Sequence, residues 1–338
     1  PLQIDIVTFF AMTQQHPYLH EVFENTRVST YDQLIHTLVV ALKARETDIR
    51  EAMARDSILR QTRLVTIEVC NIGGGINVSM PQSLRMALFT RADNVQMLMN
   101  SFLELAPASH LEAGDFKHLG RETELLTQYL ASAKTSNRRG INILIYGPPG
   151  TGKTEYARWL AGQLKHPLYQ VKTVDDEGNP IRSLDRLAYF QLSQCFLQKS
   201  DTLVLFDEIE EVFPDKHGNV PGGRAKTNKL FINQMLEENP IPAIWISNEI
   251  DHIDKAYLRR FDFSFEMGVP SLPVRRQILH RYLDRHGVRE DTVEFLTQFD
   301  ELSPAQVEKA AKILQATDRT PDREDQLALI LRNSQSLL

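Results

Sequence analysis

Between Asn142 and Thr154 the chain reads N-I-L-I-Y-G-P-P-G-T-G-K-T, a stretch that concentrates residue types able to hold phosphate. Gly147, Gly150 and Gly152, interleaved with Pro148, Pro149 and Thr151, leave room for backbone amides to converge on phosphate oxygens. The helix that starts near Lys153 adds the partial positive charge of its N-terminus. Lys153 is placed to reach β- and γ-phosphates, and the Thr154 hydroxyl to ligate Mg²⁺. A chance glycine turn would not combine an apolar strand before, a helix after and every fixed position filled. The chemistry implied is the binding of a nucleoside triphosphate with Mg²⁺.

Two further strand ends carry polar groups suited to the same ligand. Residues 203–210 read L-V-L-F-D-E-I-E, an apolar strand ending in carboxylates. In a parallel sheet the carboxyl ends of strands line the ligand crevice, which sets Asp207 and Glu208 beside the glycine loop. Asp207 suits the metal through its water shell, and Glu208, pointing another way, suits polarising a water in line with the γ-phosphate. Alone, such a pair reads as solvated acids. Next comes I-W-I-S-N at 244–248, and Asn248 offers both the donor and the acceptor needed to hold that water. An asparagine ending a strand is ordinarily a turn former, so its weight comes from following the acidic strand.

The elements that must position these groups alternate. The patterning predicts a helix from Arg121 to about Ala133, the loop strand, a helix at 153–164, a strand at Leu168–Lys172 and a helix at about 182–198. A strand at Thr202–Phe206, a helix at about 226–237 and the strand Ala243–Ser247 follow. Strands alternating with helices imply an α/β fold, a mostly parallel sheet with helices on both faces. Beyond Pro270 no strand is legible, and 272–286, 290–298, 304–315 and 323–332 read as four helices of a small C-terminal bundle. Residues 1–111 are mainly helical, with helices expected at Thr30–Ala44, Glu46–Arg55 and after Pro81, and one strand at 64–69 before the turn Gly73–Gly75. A winged helix fits, with Arg45, Arg50, Arg55, Arg60 and Arg63 as its basic face. An all-helical adaptor with a solvated surface also fits, and it is preferred because Glu46, Asp48, Glu51 and Asp56 interleave with those arginines. The organisation expected is thus 1–111, a nucleotide core at 112–268 after the linker around Ala106–Ser109, and a helical lid at 269–338.

Composition narrows the class. With 338 residues, 42% hydrophobic and 24% charged, the chain is an ordinary globular protein. No apolar run approaches a membrane span and no basic leader is legible, so the expectation is a soluble chain in a reducing cytoplasm, without membrane contact. It opens at Pro1, as a fragment of something longer would. Cys70 and Cys195 match no metal spacing and are too few for a disulfide framework. A net charge of −6 argues against a basic nucleic-acid surface over the whole molecule.

Gly147–Thr154, Leu203–Glu208, Asn248 and the run Leu258-Arg259-Arg260-Phe261-Asp262 occur in the order found in AAA+ ATPases, and over roughly 112–338 the sequence resembles their classical AAA branch. The resemblance implies a P-loop NTPase αβα core with a C-terminal helical lid, the strand Ala243–Ser247 lying between the other two motif strands. It implies ATP hydrolysis in a ring, usually a hexamer, in which an arginine from one subunit reaches the neighbour's γ-phosphate. Arg260 is the better match for that finger and Arg259 the second candidate, with Asp262 or Asp254 as in-chain partners if either is merely structural. It also makes Asp115–Gly120 the segment bracketing adenine and Ser303–Ala305 the start of the lid helix over the base. The sequence departs from the family in three places. No Pro-Gly pair separates the arginines, the loop Asp176–Pro180 lacks the aromatic that grips polypeptide, and the lid has no evident second-sensor arginine, Lys309 or Lys312 being substitutes that read more simply as exposed lysines. The resulting expectation is a Mg²⁺-dependent ATPase that remodels a macromolecular partner, most simply a protein. A nucleotide-regulated binding module with little turnover is one alternative, and a DNA-acting motor with a winged-helix reader is the other. The loop Pro214–Gly223 is expected to be mobile and to face the ring axis.

Overall fold

A computed structural model describes residues 2–25, 28–54, 57–61, 64–69, 76–82, 85, 88, 95–136, 138–197, 201–213, 229–299, 302–316 and 323–335. The turn Gly73–Gly75, Arg55, Arg63, Cys70 and the loop Pro214–Gly223 lie outside these. The chain forms two compact units, one of residues 1–105, 169–200 and 239–241, the other of 106–168, 201–238 and 242–338.

In the first unit the amphipathic spacing of the opening segments produces helices Leu2–Gln15, Pro17–Asn25, Tyr31–Leu42 and Glu46–Ala52. Thr30 caps the third, its Oγ1 accepting from Gln33 N, while Gln33 Oε1 accepts from Ser29 N at 2.8 Å. Ile6, Phe10, Leu34, Ile35, Leu38 and Ile49 are fully buried and form its core. The predicted strand is β1 (Thr66–Val69), and it pairs antiparallel with β2 (Ile76–Ser79), which the sequence reading did not expect. Two arginines of the basic face that a winged helix would use are occupied, Arg45 by Asp48 at 2.9 Å and Arg50 by Asp32 and Glu46 at 2.8 Å.

A short β3 (Leu103–Leu105), also unexpected, pairs antiparallel with β5 (Leu168–Val171). After β5 the acidic segment folds into a tight hairpin turn rather than an open loop. Asp175 N donates to Asn179 O at 2.9 Å, and the Asp175 carboxylate accepts the N–H groups of Asn179 and Glu177. These bonds, the one from Asn179 foremost, hold its carboxyl below the usual range.

The second unit carries the parallel strands β4 (Asn142–Tyr146), β6 (Leu203–Phe206), β7 (Ala243–Ser247) and β8 (Phe263–Glu266), ordered β6-β7-β4-β8. As expected, β7 lies between the two motif strands. Alternation along β4 and β7 sends Ile143, Ile145, Ile244 and Ile246 to a core with Leu126, Leu130, Tyr156, Ala157 and Leu160 of the helices Gly120–Ser136 and Lys153–Leu164. The opposite phase of β7 presents Trp245 to an aromatic cluster: it stacks on Phe206 at 5.1 Å and meets Phe213 and Phe261 edge-on. Phe261 is thereby anchored next to the arginine pair. The lid consists of helices Leu272–Leu283, Glu290–Thr297, Pro304–Ala316 and Arg323–Gln335 around Leu279, Leu283, Val307, Ala310 and Leu314.

Asn142, buried at the start of β4, ties this unit together. Its Oδ1 accepts from Trp245 Nε1 at 2.9 Å, its Nδ2 donates to Leu236 O and Gly140 O, and its backbone N donates to Asp262 Oδ2 at 2.8 Å. Asn142→Ala is expected to cost about 1–3 kcal/mol in urea unfolding, because it strands the N–H of the fully buried Trp245. A midpoint unchanged from the parent protein would show that the bond contributes nothing.

Candidate functional site

The loop after β4 keeps its shape because glycine alone fits three of its positions. Gly147, Gly150 and Gly152 have φ of 140°, 78° and 93°. A Cβ on Gly147 would sit 2.5 Å from Met267 O, and one on Gly150 would sit 2.8 Å from Ser303 Oγ at the start of the third lid helix. Thr151 Oγ1 holds Pro148 O at 3.0 Å, closing the turn. Gly152 caps the helix Lys153–Leu164 without a side-chain bond, so the first amides of that helix remain open toward the loop.

Lys153 is 5% exposed, and its Nζ donates to Gly147 O and Pro148 O, both at 2.8 Å. An ammonium has three donors, so one remains for a ligand. Burial lowers its pKa, opposed by the charges of Asp207 and Glu210. Thr154 Oγ1 donates to Asp207 Oδ2 at 2.9 Å, joining the loop helix to the end of β6. Glu208 N donates to Asp207 Oδ1, and Glu208 itself adopts a left-handed conformation with φ 58°, which starts the tight turn Ile209–Glu211. For a residue with a Cβ that conformation costs about 1–3 kcal/mol and separates the directions of the two acids.

At the end of β7, Ser247 and Asn248 meet Glu210. Glu210 Oε1 accepts from Asn248 Nδ2 at 3.0 Å and Asn248 N at 3.2 Å, and Oε2 lies 2.8 Å from Ser247 Oγ. The loop and both strand ends open onto one cleft of about 310 Å³, lined by Gly150, Gly152, Lys153, Thr154, Asp207, Glu208 and Asn248, with Tyr282, Pro304, Ala305 and Glu308 from the lid and His110 and Leu111 opposite. Gly147, Pro148, Pro149 and Thr151 shape the loop without lining the cleft.

The donor set fits a magnesium nucleotide. Thr154 and Asp207 offer hard oxygen ligands side by side, next to a buried ammonium and uncapped helix amides. Among the described residues no cluster of three or more His, Cys, Asp or Glu could hold a metal by itself. Mg²⁺ does not require one, since it keeps waters and phosphates as its other ligands.

Residues 143–269 match the sequence profile of the AAA family, the ATPase family associated with various cellular activities. Over residues 143–269 the chain carries an AAA domain. It is 29% identical over 167 residues to the ATP-dependent zinc metalloprotease FtsH of Cupriavidus metallidurans, a match covering 47% of this chain and 25% of that protein. It is 28% identical over 263 residues to the vesicular-fusion protein SEC18 of Candida albicans, covering 68% of this chain and 32% of that one. The chain therefore spans a third or less of either relative. The solved AAA domain of FIGL-1 in complex with ADP aligns at 19% identity and TM-score 0.49, over 71% of this chain and 90% of that one.

Within the AAA domain the arginine pair lies away from the cleft. Asp262 N donates to Asn142 O, which puts the pair at the amino end of β4 and β8, whereas the glycine loop leaves the carboxyl end of β4. The two ends are roughly 13 Å apart at strand rise. Arg260 pairs with Glu237, a partner the sequence did not suggest, while Asp262 pairs with Arg138 at 3.3 Å and Asp254 caps Ala256 N at 2.9 Å. Glu237 is brought there by Asn142, which bonds the carbonyl of Leu236, and by Gly140, where a Cβ would lie 2.5 Å from Glu237 O. Arg259 is exposed.

On the lid side Ala305 lines the cleft as expected, but Asp115 to Gly120 do not. The Asp115 carboxylate instead holds Arg281 of the first lid helix, and His110 and Leu111 form that wall. Lys309 and Lys312 are exposed, Lys312 pairing with Glu308 at 2.6 Å. Glu210 entered the sequence reading only as the fallback carboxylate should Glu208 not be the base, and its contact with Asn248 was not foreseen. The repetition of acids in D-E-I-E was its only signal, and a sequence does not show which carboxylate turns toward β7.

Proposed function

We propose that the AAA domain binds ATP with Mg²⁺ and hydrolyses it in an assembly of several copies, and that turnover drives a change in a protein partner. The observation that supports this most is the meeting in one cleft of Lys153, the Thr154–Asp207 pair, Glu208 and Asn248. On binding, Lys153 exchanges its bonds to the loop carbonyls for the terminal phosphates, and the amides of the loop and helix orient the phosphate chain. Thr154 and Asp207 would hold the metal. Bound Mg²⁺ neutralises charge on the phosphate oxygens. Glu208 takes a proton from the attacking water and Asn248 fixes that water's direction. Arg260, with Arg259 as the second candidate, acts on the site of a neighbouring copy, because both lie at the far end of β4 from their own loop. The assembly is a ring, with a hexamer as the expected size. Relatives named as a vesicular-fusion protein and as an ATP-dependent protease support a protein as the object of that work. No helix among the described residues is long and apolar enough to cross a membrane.

Lys153→Ala tests the reading, since it removes the one point charge buried against the phosphate loop. Its affinity for MgATP, measured by fluorescent-nucleotide displacement, is expected to fall well beyond tenfold, about 1.4 kcal/mol. Affinity within tenfold of the parent protein would refute the assignment.

A further inference from the structure

The Glu210 carboxylate is outside the wall of the cleft yet grips the residue that is in it. Oε1 takes two N–H bonds from Asn248, one from the side chain at 3.0 Å and one from the backbone at 3.2 Å. The Ser247 hydroxyl, fully buried, has one proton and two acceptors within reach, Glu210 Oε2 at 2.8 Å and Glu249 O at 2.7 Å. The hold on the end of β7 therefore rests on Asn248 itself. A carboxylate only accepts, so the NH₂ of the Asn248 amide must face Glu210. The opposite flip would set two oxygens against each other.

We propose that Glu210 is a positioning residue: by fixing the flip of the Asn248 amide it leaves Oδ1 and the second Nδ2 hydrogen turned away from itself, ready to direct a water and meet a phosphate oxygen. This rests on the reading of Asn248 given above. It assigns three roles to three neighbouring acids, Asp207 for the metal, Glu208 for the proton and Glu210 for the orientation of the asparagine. Glu210 has a second route to the site, through the field it exerts on Lys153. That route would change nucleotide binding, whereas control of the amide flip changes the step after binding.

The test pairs kinetics with a readout that needs no nucleotide. Glu210→Met keeps the length of the side chain and removes both acceptors, so nothing is left to hold the NH₂ of Asn248; glutamine would not serve, since its Oε1 could still accept from Asn248 while its Nε2 donates to Ser247 Oγ, whose proton turns to Glu249 O. The kcat of Glu210→Met for ATP is expected to fall about 10- to 100-fold, the scale of a misplaced orienting group, with KM for MgATP within about threefold. Asn248→Ala should lose a similar amount, and the double variant should be within about threefold of the worse single one, since the two act as a unit. In protein labelled with ¹⁵N-asparagine, the Asn248 side-chain amide signal, identified by its loss in Asn248→Ala, should shift and lose exchange protection in Glu210→Met without nucleotide. Multiplying kinetic losses, a raised KM with normal kcat, or an unmoved amide signal would each overturn the proposal. If Asn248→Ala hydrolyses ATP normally although the amide signal responds to Glu210→Met, the catalytic reading of Asn248 fails and takes the proposal with it. If the amide signal does not respond while Asn248→Ala is slow, only the role of Glu210 fails.

Discussion

Glu208→Gln should bind ATP about as well as the parent protein and hydrolyse it at least about 10²-fold more slowly, the loss expected when a general base is removed. Glutamine preserves the volume of the side chain and can occupy the same left-handed backbone position, so the turn Ile209–Glu211 and the aim of Asp207 should persist. The Thr154–Asp207 pair is untouched, which leaves the residues proposed to hold the metal in place. Single-turnover hydrolysis with a saturating excess of protein separates this step from binding. The variant should also accumulate in its ATP-bound form, and any assembly that depends on ATP should persist longer, as seen by light scattering after ATP is added. Turnover at the parent rate would remove Glu208 from the reaction and would leave the cleft as a site that binds nucleotide without a positioned base.

Local signals carried the parts of this fold that local chemistry determines. The strand, glycine loop and helix from Asn142 to Leu164 were legible because each position has a steric or electrostatic reason to be what it is, and the helix spans Lys153–Leu164 as expected. Leu203–Phe206 and Ala243–Ser247 were legible as short apolar runs ending in polar groups. By contrast β2, β3 and β8 escaped, since I-N-V-S, L-E-L and F-S-F-E interrupt their apolar residues with polar ones and have no continuous apolar run like that of β6. The alternation F-S-F-E of β8 is too brief to stand out, and it becomes a strand because it pairs with β4 at Ile143↔Phe263 and onward. Pairings between distant residues were not legible at all. Glu237 reaches Arg260 only because Asn142 and Gly140 pin the end of the helix Lys229–Glu238, and Glu210 reaches Asn248 only because the left-handed Glu208 turns the chain back. Both are consequences of tertiary packing, which residue patterns do not encode position by position.

Arg260→Ala carries the largest expected loss of turnover, and it separates a site shared between copies from one complete in a single chain. If Arg260 supplies charge to the transition state of a neighbouring site, the variant should bind ATP nearly normally and lose about 10³-fold or more in kcat. An in-chain explanation is available, since Arg260 pairs with Glu237. That pair is half in solvent, its side chains 33% and 54% exposed, so breaking it should cost no more than about 1 kcal/mol of stability and should not disable hydrolysis. Glu237→Gln serves as the control: it breaks the same pair but keeps the guanidinium, and should retain most of the activity. Arg260 sits at the amino end of β4, with its own glycine loop at the other end of the strand, so under this proposal the phosphates it meets belong to another copy. Mixing Arg260→Ala with Lys153→Ala then becomes informative. The first has an intact cleft but no arginine to lend, while the second has a disabled cleft and an intact arginine. Activity of the mixture above the sum of its parts requires one site built from two chains. Should Arg260→Ala keep full activity, or should the mixture show no gain, Arg259, exposed one residue earlier, needs the same substitution and mixing. If Arg259→Ala also hydrolyses ATP normally, the site is complete within one chain and the shared-site model is lost.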